Sequence, residues 1–327
     1  MKRKGIFYAD KQHVNFSTTQ FYEAYSDDVI SKLMDLVDIG PEIYDYREME
    51  KHRDEFRRVE FLFSNWGMPK VTITEIKEFF PSLKAVFYAG GLTDHFDVPF
   101  NVCGIKVFDA KAVHAIPVAE YTMAAIIMAN KGAFSTREWL RNNDYVKARE
   151  WALKYEGNFY SRIGILGVGN VGTYLIKLLK NFNLEILVYD PFVSDEKIRE
   201  LGVMRAPLDE IFSMCNIVTN HMANNSTTYG LINHEYLSRL SDYSTFINTG
   251  CSDQINLDDL YHLVNENPTI TVVLDPVQEV SDEIYRWAKF DNVFRTPIIS
   301  GSSGNEIARM GEYLYEQCKA YVEVLVK

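Results

Sequence analysis

Ile163-Gly164-Ile165-Leu166-Gly167-Val168-Gly169-Asn170-Val171-Gly172 is the stretch whose reading decides the fold. Its apolar opening predicts a strand, and GVGNVG predicts a tight loop. Residues 173–182 then place Tyr174, Leu175, Leu178, Leu179 and Phe182 at helical spacing. Gly167 permits the turn, Gly169 lets backbone approach a pyrophosphate, and Gly172 lets helix and strand pack closely. A pyrophosphate there sits at the helix N-terminus, among free backbone N–H groups and the positive end of the helix dipole, with Asn170 and Val171 as further cofactor-binding candidates.

A GxGxxG pattern alone is weak evidence, but here a strand precedes it and a helix follows. The next apolar run, 185–189, ends at Asp190, 18 residues after Gly172. That is close to the spacing of about 20 expected of a ribose-binding acid. A carboxylate accepts hydrogen bonds from a 2′-hydroxyl and repels a 2′-phosphate, so the expected cofactor is NAD rather than NADP.

Further strands are predicted at 216–220, 245–248, 270–274 and 293–295, which with the first two make a six-stranded doubly wound sheet. Ahead of this region the same βα rhythm predicts strands at 5–8, 42–44, 59–63, 84–88 and 105–108. Helices are predicted at 26–37 and at 74–80, the second ended by Pro81. Pro117 reads as the opening of a helix over 118–130, because proline suits a first turn. That helix is apolar on most sides and is expected to be buried between two layers or at a subunit interface. A last helix over 305–326 has no strand after it and is expected to cross back onto the first part of the chain.

The 327 residues suit two domains. A hydrophobic share of 47% and a charged share of 24% are those of an ordinary globular protein. The net charge of -11 argues against nucleic acid as a partner. The basic start, MKRKGIFYAD, turns polar too soon for a signal peptide, and no segment reads as approaching the apolar length of a membrane span. Cys103, Cys215, Cys251 and Cys318 are widely spaced, which predicts neither a disulfide framework nor a metal site. The expected setting is a reduced cytoplasm.

Several ordered segments resemble the D-isomer-specific 2-hydroxyacid dehydrogenases over nearly the whole chain. Tyr88-Ala89-Gly90-Gly91, with Asp94 and Asp97, is similar to that family's substrate loop, and Val118-Ala119-Glu120 to its hinge helix. Asn220-His221-Met222-Ala223 through Thr228-Tyr229-Gly230-Leu231-Ile232-Asn233 resembles its LHxPxTxxTxxLIN segment. Ile247-Asn248-Thr249-Gly250 resembles the approach to its catalytic arginine, Leu274-Asp275 the start of the segment holding its catalytic acid, and Thr296-Pro297 the approach to its histidine. The resemblance implies an α/β architecture: a Rossmann NAD-binding domain, residues 117–299, inserted in a flavodoxin-like substrate domain, residues 1–116 plus 300–327. It implies a homodimer through the 117–150 region and reversible hydride transfer between NAD and a 2-hydroxy or 2-oxo acid. His221, Thr228, Thr249 and Asp275 fall at cofactor positions, and Gly90, Gly91 and His95 in the substrate loop.

The chain departs from this pattern where the chemistry is done. The family's arginine clamps a substrate carboxylate, and Cys251 holds that position. Its histidine exchanges the substrate proton, and Ile298 holds that one. Its glutamate matches Glu279, followed by Val280 instead of proline. Replacement proton carriers include His114, Lys111 and His95, while Glu279 is a direct candidate and Cys251 reads as a reactive thiol or a small buried side chain. Three readings compete: an oxidoreductase with an altered site and a substrate unlike an ordinary 2-hydroxy monocarboxylate; an NAD(H)-responsive binding or regulatory protein without turnover; and a scaffold that keeps only the fold. The loop and Asp190 argue against the third.

Overall fold

The computed structural model describes residues 2–13, 16–275 and 283–326. Two compact units divide the chain, Met1–His114 with Ser302–Lys327, and Ala115–Gly301. The sequence reading puts the joints at 116/117 and 299/300.

The first unit carries a parallel sheet of β1 (Gly5–Ala9), β2 (Ile43–Asp45), β3 (Phe61–Ser64), β4 (Ala85–Tyr88) and β5 (Lys106–Asp109) in the order β2-β1-β3-β4-β5. This is the flavodoxin-like order. Alternate residues serve opposite faces, and both faces are covered. Phe7, Phe61, Phe63 and Phe87 pack with Phe21, Tyr25 and Leu33. Ile6, Tyr8, Leu62 and Val86 pack with Phe56, Ile76 and Phe79 on the other side. Two buried faces explain why these strands read as continuous apolar runs instead of alternating ones. The final helix, Glu306–Val326, places Ile307, Met310, Leu314 and Cys318 in the first of these cores.

Among the described residues, the second unit carries seven parallel strands: β6 (Arg162–Leu166), β7 (Glu185–Tyr189), β8 (Met204–Arg205), β9 (Ile217–Asn220), β10 (Thr245–Asn248), β11 (Thr271–Leu274) and β12 (Val293–Arg295). Their order, β12-β11-β10-β9-β6-β7-β8, reverses direction between β6 and β9. That reversal is the switch point at which a Rossmann sheet holds its ligand. The two-residue β8 was not foreseen; both of its residues are exposed and carry no hydrophobic period.

Two sequence expectations about the long apolar helix are corrected. It runs Lys111–Ala129, so Pro117 lies inside it and not at its start. The start signal is Asp109, whose carboxylate accepts from the Lys111 N–H at 3.0 Å. The helix is also 19 residues long with a mean hydropathy of 1.5, so by length and composition one segment does reach membrane-spanning size. Its apolar character has a local use: Ala119, Ala125, Ile126 and Ala129 pack with Ile163, Ile165, Ile217, Ile247 and Val273 of the second sheet.

Candidate cofactor and active site

The strand ends of the second sheet are in register. Leu166 pairs with Tyr189 and Asn220, Asn220 with Asn248, Asn248 with Leu274, and Leu274 with Arg295. The residues that follow them therefore form one row along the C-terminal edge, in the spatial order Asp190, Gly167, His221, Thr249, Asp275, Thr296. Backbone bonds extend the ladder into this row: Gly167 N–H donates to Tyr189 O, His221 N–H to Leu166 O, Asp275 N–H to Asn248 O and Thr296 N–H to Leu274 O, all at 2.7 to 2.9 Å.

The glycines of the loop divide their duties as a nucleotide site requires. Gly167 has φ +91°, and a Cβ on it would lie 2.6 Å from His221 O. A Cβ on Gly172 would lie 2.0 Å from Gly167 O, so only glycine lets the helix Asn170–Leu179 sit this close. A Cβ on Gly169 would meet nothing within 4 Å. Gly169 is exposed, is the N-cap of that helix, and makes no side-chain cap bond. The loop is thus tight on its protein side and open at the helix N-terminus, where a diphosphate fits. Asn170 is exposed and Val171 half-buried against the core below.

Asp190 spans the turn after β7. One oxygen accepts from Val168 N–H at 2.8 Å, the other from Phe192 N–H at 2.9 Å and Val193 N–H at 3.1 Å. A carboxylate offers about four acceptor positions, so room is left for a ribose hydroxyl. Asp190 also ties the glycine loop to the turn after β7, a duty the spacing argument did not foresee.

His221 stands at the switch point. Its Nε2 lies 3.0 Å from Thr219 Oγ1 and its Nδ1 3.5 Å from Thr249 Oγ1. Thr249 Oγ1 is 3.4 Å from Thr122 Oγ1, and Thr122 donates to Val118 O at 2.7 Å. With that proton committed, Thr122 accepts from Thr249, Thr249 accepts from Nδ1–H, and Thr219 donates to Nε2. Burial pushes the imidazole down to about 3, so it is neutral at physiological pH and is not a proton donor there. Thr122 was missed in the sequence; a polar residue within an apolar helix was its signal.

Asp275 is fully buried. Its carboxylate accepts from Thr296 Oγ1 at 2.6 Å, Ile299 N–H at 2.9 Å and Ser300 N–H at 2.7 Å. Thr296 in turn lies 2.9 Å from the Tyr121 hydroxyl, a phenol that burial raises above its ordinary value. This clasp fixes the turn that carries Ile298. Ile298 has φ +59° and is 53% exposed. Cys251 is buried at the head of the short turn Ser252–Gln254. Beside it, Asn220 Nδ2 donates to Asn248 Oδ1 and Gln254 Oε1. Thr228 bonds within its own loop, to Ala223 O at 2.7 Å. Glu279 lies outside the described residues.

The remaining candidates belong to the first unit. The His114 ring packs on the Gly90-Gly91 turn, for a Cβ on Gly91 would lie 2.6 Å from His114 Cδ2. Its Nδ1 is 3.0 Å from Ser302 Oγ, and burial lowers its pKa. Gly90 N–H donates to Tyr88 O, and Gly90 O accepts from Ala110 N–H. Lys111 Nζ donates to Thr93 Oγ1 at 3.3 Å and pairs with Asp109 at 3.1 Å. His95 is exposed, set edge-on to Tyr88 and Phe96. Gly90, Gly91, Thr93, Lys111 and His114 thus come together, with His95 at their border.

Comparison with known proteins agrees with this fold. Residues 123–300 match the family model of the D-isomer specific 2-hydroxyacid dehydrogenase, NAD binding domain. The chain is 28% identical over 233 residues to YoaD of Bacillus subtilis, covering 68% of this chain and 66% of that one. It is 29% identical over 252 residues to the hydroxypyruvate reductase of Thermotoga maritima, covering 76% and 80%. The solved structure of D-lactate dehydrogenase from Aquifex aeolicus, complexed with NAD and lactic acid, superposes with a TM-score of 0.72 at 22% identity, over 98% of this chain and 96% of that one.

Proposed function

Because the chain belongs to the D-isomer-specific 2-hydroxyacid dehydrogenases, we propose that it is an NAD(H)-linked oxidoreductase with an altered active site. Its substrate is a 2-oxo acid or related carbonyl compound, or the corresponding alcohol. The observation that carries this reading is the glycine loop: closed by backbone at Gly167 and Gly172, open at Gly169, and braced by Asp190. In this reading the loop N–H groups hold the pyrophosphate and Asp190 the adenosine ribose. His221, Thr249 and Asp275 line the course of the remaining half.

The bound nicotinamide supplies or takes the hydride, and the chain's own residues do the rest. Lys111 and His114, beside Gly90 and Gly91, are the proposed substrate-handling groups. Without a guanidinium at position 251, a carboxylate has no bidentate clamp there, so an ordinary 2-hydroxy monocarboxylate is a poor fit. A homodimer through the 117–150 region is part of the proposal, supported by the exposed side chains of Leu140, Tyr145 and Val146. A second reading, an NAD(H)-responsive binder without turnover, draws on the apolar Ile298 and the buried Cys251.

The test is NADH consumption against a panel of oxo acids, aldehydes and ketones, with the native protein beside a Cys251→Arg, Ile298→His double variant. Turnover by the native protein supports the oxidoreductase. Turnover by the variant alone favours the binder. Failure of the native protein to bind NADH would overturn the cofactor site itself.

A further inference from the structure

Among the described residues of the second unit, Asn143, Tyr160, Tyr243 and Ile298 are the non-glycine residues with positive φ, and Ile298 is the β-branched one of these. A β-branched residue at φ +59° is disfavoured, because its Cβ crowds the backbone in the left-handed region. Strain of this kind persists where the surroundings over-determine it, often at functional positions. Here the surroundings are the buried Asp275 carboxylate, which takes the N–H groups of Ile299 and Ser300 and the hydroxyl of Thr296. Core packing is not the reason for the conformation, since Ile298 is 53% and Ile299 48% exposed. The chain holds an apolar side chain in solvent, against its own backbone preference.

The row of strand ends places that turn. Asp190 marks the adenosine side of the switch point, and Gly167 the pyrophosphate. A dinucleotide continuing away from Asp190 crosses the ends of β9, β10 and β11, past His221, Thr249 and Asp275. At about 4.8 Å per strand, Asp275 stands roughly 14 Å from Gly167 along the row. The Ile298 turn is pinned to Asp275 by three hydrogen bonds, toward the end of the row opposite Asp190.

We propose that Ile298 forms an apolar contact on the nicotinamide ring, by which the protein binds the reduced dinucleotide more tightly than the oxidised one. The ring is cationic in NAD+ and neutral in NADH. An alkyl group in contact with it removes water that the cation needs and the neutral ring does not. The inference rests on the NAD-binding reading and not on turnover, so it holds for an oxidoreductase and for an NADH-responsive binder alike.

The test measures dissociation constants for NADH and NAD+ by fluorescence and calorimetry on the native protein, Ile298→Asn and Ile298→Asp. Both replacements tolerate a left-handed conformation, and they differ from each other by a charge. An unfolding temperature at or above the native one shows that each is folded. The native protein is expected to favour NADH. Ile298→Asn should lower that preference, and Ile298→Asp should move the ratio toward NAD+ by a further factor on the order of ten, as for opposite charges a few ångströms apart. Equal ratios in all three, with NADH still bound, would overturn the role of Ile298 and leave the cofactor site standing. Loss of NADH binding by the native protein would overturn the cofactor reading instead.

Discussion

Gly169→Ala separates binding from folding more cleanly than any other change to the glycine loop. A Cβ at 169 meets nothing within 4 Å, and the backbone there, φ -72° and ψ -154°, is extended. Alanine at a compatible position reduces the freedom of the unfolded chain and adds about 0.4–1 kcal/mol of stability. The same methyl projects where the loop is open, at the helix N-terminus. If it displaces a phosphate from one charge-assisted N–H bond, the loss is about 1.5–3 kcal/mol, or roughly 10- to 100-fold in Kd. Urea unfolding of the apo protein should therefore show a variant as stable as the native one or more so, while NADH titration shows it weakened. Gly172→Ala is the counterpart: its Cβ would lie 2.0 Å from Gly167 O, so the helix must move and stability should fall by about 1–3 kcal/mol or more. Unchanged NADH affinity in Gly169→Ala would refute the assignment of the open side of the loop to the diphosphate.

Two further outcomes follow from burial. His221 titrates near 3 in the fold against 6.5 when exposed, so between those values the unfolded chain binds the proton and the folded one does not. Stability should fall as pH drops below 6.5, by about 2 kcal/mol at pH 5 from this group; urea unfolding at pH 7 and pH 5 should show a shallower dependence in His221→Gln, and an equal dependence would remove His221 as the cause. Gly311→Ala should destabilise the first unit by about 1–3 kcal/mol or more despite alanine's better helix propensity, because its Cβ would lie 1.6 Å from Ala24 O; an unfolding temperature at or above the native one would contradict that packing.

The strands were legible because parallel sheets with both faces covered read as unbroken apolar runs, as in Phe61–Ser64 and Thr245–Asn248. The cofactor loop was legible because its constraints are local: three glycines, a strand before and a helix after. What escaped was fixed by partners distant in sequence. The left-handed turn at Ile298 depends on acceptors on Asp275, more than twenty positions earlier. The hydroxyls of Thr122 and Tyr121 find their partners at Thr249 and Thr296, 127 and 175 positions away. Pro117 misled for a different reason. Its ring marks a residue without an N–H, which suits a first turn, yet the helix had already begun at Lys111 under the Asp109 carboxylate.

The C-terminal edge of the second sheet also bears on the scaffold reading. Asn220, Asn248, Thr249, Gln254 and Asp275 are all buried there, and buried polar groups cost stability unless fully paired. The Asn248 amide nitrogen has no hydrogen-bond partner among the described residues, a deficit of about 1–3 kcal/mol. A chain selected for its fold alone would gain by placing apolar side chains at these strand ends, as it does at Leu166 and Leu274, which pair in register with Asn220 and Asn248. Instead the polar row is kept and aimed by a connected set of amides and hydroxyls. On the proposed reading Cys251 and Ile298 stand where the family has its arginine and histidine, and around them Thr249, Asp275 and Thr296 are held by hydrogen bonds from neighbouring elements. On that reading the change lies in what is done to the bound molecule, and a scaffold that keeps only the fold would have no use for this polar row.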